Sequence, residues 1–319
     1  MRSIRRFATV HPLPFVIVAP AVWMMIAGIA AYLAAAVLRL PLSHELPQSL
    51  GMLTATACLL MVMWRWGWLR AAGVTGLGSG RLWLLTAGLA AFVVVAYQLA
   101  FFGEIVVDLP ASWAAGEAQA ILGRQVVVGI AEEFLFRGFL LYALVRVWGE
   151  TRRGLLAAVT LPALLFGLLH VMQVSAGNPL DDTLMTVLNC FVSGLWWGAL
   201  VLLGGSLWPA ALLHAASNAS FQIGGASLAR FDPSAMDYAL ATLAELPLVI
   251  AGLWLLWRKI PGSLLAGRQK SIANWRTMAS SRISRSPWIA SSFCRASMPN
   301  WRRPSPSWKR SKRAGSQRL

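Results

Sequence analysis

Pro14 to Val37 reads PFVIVAPAVWMMIAGIAAYLAAAV, a run without one charged side chain. Roughly 20 apolar residues in a helix cross the hydrocarbon core of a bilayer, and a soluble core helix has no need of so long an uncharged run. The rest of the chain repeats the signal. Hydrophobic residues make up 57% of the 319, charged residues only 13%, and the mean hydropathy is +0.62. These values place the chain in the membrane class.

Further spans are expected at about 49–64, 82–103, 120–146, 154–173, 184–204, 207–222 and 238–257, giving about eight with the first. The second and seventh are short and the fourth carries charge. Backbone groups in lipid must be satisfied within the segment, and no alternating barrel pattern is present, so the expected fold is all-α, a polytopic helical bundle. Its organisation reads as N-terminal helices over 1–118, a catalytic core over 119–222, a final helix over 223–257 and a basic tail over 258–319.

Lys and Arg set the expected orientation. Arg2, Arg5 and Arg6 precede the first span, Arg65, Arg70 and Arg81 follow the second, and Arg146, Arg152 and Arg153 follow the fourth. The alternate loops hold Arg39 and Arg230 against Glu104, Asp108, Glu117, Asp181 and Asp182. The positive-inside rule then puts both termini in the cytoplasm. Ala, Leu, Trp and Arg usage, with no eukaryotic targeting segment, points to a bacterial inner membrane. The first run is too long for a signal-peptide core and lacks a small-residue cleavage site.

A net charge of +16 suggests nucleic acid at first sight, but 15 of the 28 Lys and Arg lie in residues 258–319, which hold no acid. The remainder carries 13 basic and 12 acidic residues, so no nucleic-acid partner is expected. The tail, rich in Ser, Arg, Pro and Trp, reads as disordered. A strip lying on anionic lipid, a solvated tail without a specific role and an out-of-frame translation all fit it. Cys58, Cys190 and Cys294 have neither disulfide nor zinc-type spacing and read as inert.

Ionisable groups inside spans are costly, and a cluster of them is a functional hypothesis by default. The fourth span contains Gly129-Ile130-Ala131-Glu132-Glu133-Phe134-Leu135-Phe136-Arg137-Gly138. Glu133 and Arg137 are four apart, on one helical face, and suit an ion pair. Glu132 is left without a cation of its own, as a general base needs. Interhelical stapling is the alternative, but a staple gains nothing from a second carboxylate. His170 lies one turn beyond Phe166, and by itself reads more readily as a satisfied core histidine. His214 and Asn218 share a face of the seventh span, which Pro209 opens, and offer a ring nitrogen and an amide donor to one small volume; interhelical hydrogen-bonding is the alternative for that pair.

Together Glu132, His170, His214 and Asn218 offer a base for water, a proton carrier for a leaving amine and donors for an oxyanion, which suits amide hydrolysis of a peptide or protein substrate. No His-Glu-x-x-His, Gly-x-Ser-x-Gly or phosphate-binding glycine loop is present. The chemistry requires no cofactor. A divalent metal held by Glu132, His170 and His214 from three helices stays open.

These residues resemble the CAAX protease and bacteriocin-processing (CPBP/ABI) family of intramembrane glutamic endopeptidases. Glu132, Glu133 and Arg137 look like its Glu-Glu-x-x-x-Arg motif, Phe166 and His170 like Phe-x-x-x-His, and His214 and Asn218 like His-x-x-x-Asn, over about 119–222. The resemblance implies that Glu132 and His170 activate water, that His214 and Asn218 stabilise the oxyanion, and that Glu133 and Arg137 hold the site together. The basic tail is not a family feature. A catalytically silent scaffold or bacteriocin-immunity-type protein is the other class, though such a relative would typically lack a catalytic group.

Overall fold

The structure, a computed structural model, describes residues 7–105, 116–226 and 233–258; the basic tail beyond Arg258, with Arg2, Arg5, Arg6, Asp108 and Arg230, lies outside them. The described residues are all-helical. The order is α1 (Pro12–Leu38), α2 (Glu45–Trp66), α3 (Gly80–Phe102), α4 (Glu117–Glu133), a π-helical stretch (Phe134–Leu140), α5 (Leu141–Trp148), α6 (Arg152–Leu169), a 3-10 stretch (His170–Ala176), α7 (Leu180–Gly204), α8 (Trp208–Ala226) and α9 (Ala235–Arg258).

Local chemistry sets the ends. Pro12 occupies the first turn of α1, where its missing N–H is no loss. Ser79 and Thr151 accept from Leu82 N and Gly154 N at the starts of α3 and α6. Gly67, Gly103 and Gly205 end α2, α3 and α7 with positive φ of 70°, a conformation that glycine adopts without a Cβ clash.

Among the described residues six helical stretches are long and apolar enough to cross a membrane: α1, α2, α3, α6 with most of its 3-10 extension, α7 and α9. The other two expected spans are helical but fall short for a chemical reason. Glu117–Trp148 is interrupted by Glu132, Glu133 and Arg137, and α8 carries His214, Ser217, Asn218 and Ser220. The segments least suited to lipid are those that carry the site.

Exposed Ile17, Met25, Val37, Leu84, Ile250 and Trp254 on α1, α3 and α9 form the apolar surface that lipid would cover. Centrally, α7 packs on α6 and α9, while α8 packs on α4 and α3. The α4–α8 crossing is close because a Cβ on Gly129 would come 2.9 Å from Ala211 O and 3.0 Å from Ala215 N. Small residues permit such an approach in membrane bundles. Gly129→Ala is expected to lower thermal stability in detergent by about 1–3 kcal/mol, the usual cost of overpacking against backbone; an unchanged melting temperature would show that the two helices tolerate separation.

Contacts also define two ends of the bundle. At one, Leu207 N bonds Gly73 O, Trp208 Nε1 bonds Val74 O, and Arg146 and Arg152 lie over Trp68 and Trp257. At the other, Arg124 meets Glu45, and Phe101 meets both Phe221 and Tyr238.

Candidate active site

Glu133 closes α4 and Arg137 lies in the π-helical stretch that follows, both essentially buried. Their pairing was expected from the spacing: Arg137 Nη1 stands 2.6 Å from Glu133 Oε1. A π-helical turn inserts one residue into the helical repeat and is frequent at functional sites. Around the guanidinium, Arg137 Cζ lies 4.6 Å from the Phe166 ring centroid and 5.3 Å from that of Trp197, so aromatic faces complete its burial. A Cβ on Gly194 would come 3.0 Å from Arg137 Nη2, which explains why a glycine stands there.

His214 joins the two neighbouring carboxylates. Its Nδ1 lies 3.1 Å from Glu133 Oε1, the same oxygen that accepts from Arg137, and its Nε2 lies 3.5 Å from Glu132 Oε2. Glu133 can only accept, so Nδ1 carries the proton and Nε2 faces Glu132. Trp197 stacks on the imidazole, with centroids 4.6 Å apart and 26° between planes, and Phe166 meets it edge-on at 5.6 Å. One face of the ring is thus covered by Trp197, and Nδ1 is held by Glu133. The sequence reading left Glu132 without a partner; the structure puts His214 beside it.

His170 opens the 3-10 stretch after α6, with Nδ1 2.9 Å from Phe166 O and its ring edge-on to Phe166 at 5.1 Å. A carbonyl only accepts, so Nδ1 donates and Nε2 is the nitrogen left to meet other groups. Asn218 lies one turn along α8 from His214.

Glu132, Phe166, His170, His214 and Asn218 all line one cavity of about 330 Å³; Glu133 and Arg137 stand behind it. Glu132 keeps about a fifth of its side chain accessible, whereas Glu133 keeps none. That difference separates a group able to meet water from one that orients others. Among the described residues no three His, Cys, Asp or Glu side chains gather as metal ligands would.

Two features escaped the sequence reading. Cys190, taken there as inert, lines the cavity and its side chain interacts with His170. Glu245, buried in α9, accepts from Ser193 Oγ at 2.5 Å, Tyr97 Oη at 3.0 Å and Trp196 Nε1 at 3.2 Å; Tyr97 and Ser193 also line the cavity. The signal for Glu245 was present, since a lone carboxylate within an apolar span invites a search for its partners. Glu245→Gln turns an N–H₂ donor toward other donors, and is expected to cost about 1–3 kcal/mol, as for one buried group left unsatisfied. Thermal unfolding in detergent reads this, and an unchanged midpoint would mean that the network is slack.

Residues 114–220 match the family described as type II CAAX prenyl endopeptidase Rce1-like. This stretch is similar to the CAAX proteases. All seven residues of the three sequence motifs fall inside the CAAX-protease stretch, as do Cys190, Ser193 and Trp197, while Tyr97 and Glu245 lie outside it. The match supports a CAAX-type intramembrane protease, a peptide hydrolase built into a multi-pass membrane protein. No curated protein and no solved structure matches the chain.

Proposed function

We propose that the chain is an intramembrane glutamic endopeptidase in which Glu132 takes a proton from water as the oxygen attacks a peptide carbonyl. The observation that carries this reading is the placement of Glu132 Oε2 3.5 Å from His214 Nε2 at the wall of the cavity, with Glu133 and Arg137 fixing the ring from behind. A general base needs a reachable carboxylate and a neighbour to hold water and proton in register.

His170, its Nδ1 tied to Phe166 O, exchanges a proton through Nε2, assisting water activation and delivering the proton to the departing amine. Asn218 donates to the oxyanion, and so does His214 when Nε2 is protonated. The C–N bond breaks, and the products are a carboxylate-bearing and an amine-bearing fragment. No step in this scheme passes through a metal. Lipid is the surrounding partner and a peptide or protein the substrate, and the arginine distribution favours cytoplasmic termini in a bacterial inner membrane.

Purified full-length protein should cleave members of a quenched peptide library, with and without chelator. Asn218→Ala should lower kcat by about 10²–10³, the usual effect of removing one oxyanion donor. Loss of cleavage with chelator would replace the glutamate scheme by a metal-dependent one, and cleavage unaltered in Asn218→Ala would remove that residue from the machinery.

A further inference from the structure

The cavity occupies one end of the bundle, and every helix that lines it agrees on which end. In α3 the contribution comes from the last turns, Tyr97 and Phe101. Where α6 passes into its 3-10 extension, the cavity meets Phe166, His170 and Gln173, nothing nearer the start of α6. The sense reverses in α7 and α9, as it must for neighbouring spans joined by short connections: α7 contributes from Thr186 to Trp197 and α9 only Tyr238, in its first turn. Along α8 the lining runs from His214 towards the C-terminus.

Glu132 sits near the middle of the Glu117–Trp148 rod. From there the cavity follows α4 back to Arg124, about 12 Å at 1.5 Å per residue. In the other direction it is stopped: Phe134 through Val145 are all buried, as are Trp197 and Ala199. The catalytic groups therefore form the floor of a well whose far wall reaches partly exposed Arg124, itself paired with Glu45.

The charges of the two ends differ. The closed end carries Arg65, Arg70, Arg81, Arg146, Arg152, Arg153 and Arg258 with Glu150. The end onto which the cavity runs has Arg39 and Arg124 against Glu45, Glu104, Asp181, Asp182 and Asp237. By the positive-inside rule the closed end faces the cytoplasm. Gln173, Asn189, Asn218 and Gln222, each a carboxamide with the donor and acceptor pattern of a peptide group, line the well.

We propose that substrate reaches Glu132 from the extracytoplasmic side, so that the enzyme cuts polypeptide segments exposed on that face and not cytoplasmic C-termini. This inference rests on the peptidase reading above. An extended chain would descend past the Arg124–Glu45 pair, its backbone meeting the carboxamides, and present a carbonyl at the floor. The acidic rim favours segments that carry Lys or Arg over acidic ones.

The direction of access can be read without catalysis. In a Cys58→Ser, Cys294→Ser protein the remaining thiol is Cys190, in the wall of the well. A membrane-impermeant thiol reagent should label it in sealed right-side-out vesicles and fail to do so in inside-out vesicles. Gln173→Cys in a background lacking all three native cysteines should label from the same side, and Arg152→Cys from the opposite one. Labelling of Cys190 and Gln173→Cys from the cytoplasmic side only, or from neither side while detergent exposes both, would overturn the proposal. Reconstituted wild-type enzyme given a cleavable basic peptide outside or inside the vesicle completes the test. Outside labelling without cleavage on either side would leave the direction standing and count against the peptidase reading; cleavage only of the inside peptide would count against the direction alone.

Discussion

Glu132→Gln should reduce peptide hydrolysis by about 10²–10⁴-fold, the range for loss of a positioned general base, while the protein folds and purifies as before. The amide keeps the shape and the hydrogen-bonding reach of the carboxylate but cannot take a proton from water. Little stability is at stake because Glu132 retains accessible surface and its contact with His214 Nε2, at 3.5 Å, is longer than a good hydrogen bond. The neighbouring substitution supplies the control. Glu133→Gln withdraws the charge facing Arg137 Nη1 at 2.6 Å and His214 Nδ1 at 3.1 Å, so it should lower thermal stability as well as activity. Cleavage assays and unfolding curves on the pair separate the roles: one variant inactive and stable, the other inactive and fragile. Full activity of Glu132→Gln would end the assignment of the base.

The difference between these two adjacent residues was only half legible in the sequence. Four-residue spacing is enough to put Glu133 beside Arg137, since it is a property of the helix itself, and the ion pair is present. What holds His214 against both carboxylates is the crossing of α4 and α8, 81 residues apart at the Glu133–His214 contact. That crossing depends on backbone meeting backbone at Gly129 and Ala211, which no hydropathy pattern encodes. The π-helical turn at Phe134–Leu140 escaped for a related reason: a 3.6-residue period carries no mark of an inserted residue. Composition placed the bundle in the membrane, and the apolar runs located its helices to within a few residues. The same runs hid Glu245, whose partners Tyr97, Ser193 and Trp196 lie 148, 52 and 49 residues away and become neighbours only when α3, α7 and α9 pack.

Arg137→Ala should destabilise the protein by about 3–5 kcal/mol, the cost of leaving a buried carboxylate without its cation. Much of that cost falls on Glu133, which has no accessible surface through which water could compensate. Phe166 and Trp197 lose the guanidinium that fills the space between them, so part of the loss is packing. Arg137→Lys should recover only part of the stability, because a compact ammonium cannot reproduce a planar group lying against two rings while reaching Oε1. A double-variant cycle tests whether the pair acts as a scaffold. Glu133→Leu with Arg137→Met removes both charges, and should be more stable than Arg137→Ala because no uncompensated ion remains. It should still fall short of wild type by about 1–3 kcal/mol, since His214 Nδ1 then loses its buried acceptor. Activity should stay low in the double variant even where stability returns, because the imidazole no longer has Glu133 to hold Nε2 toward Glu132. Recovery of hydrolysis together with stability would show that the pair only staples the helices, and that Glu132 and His170 suffice without an oriented His214. Thermal unfolding in detergent, read beside peptide cleavage, decides between a scaffold that positions the chemistry and one that merely holds the bundle together.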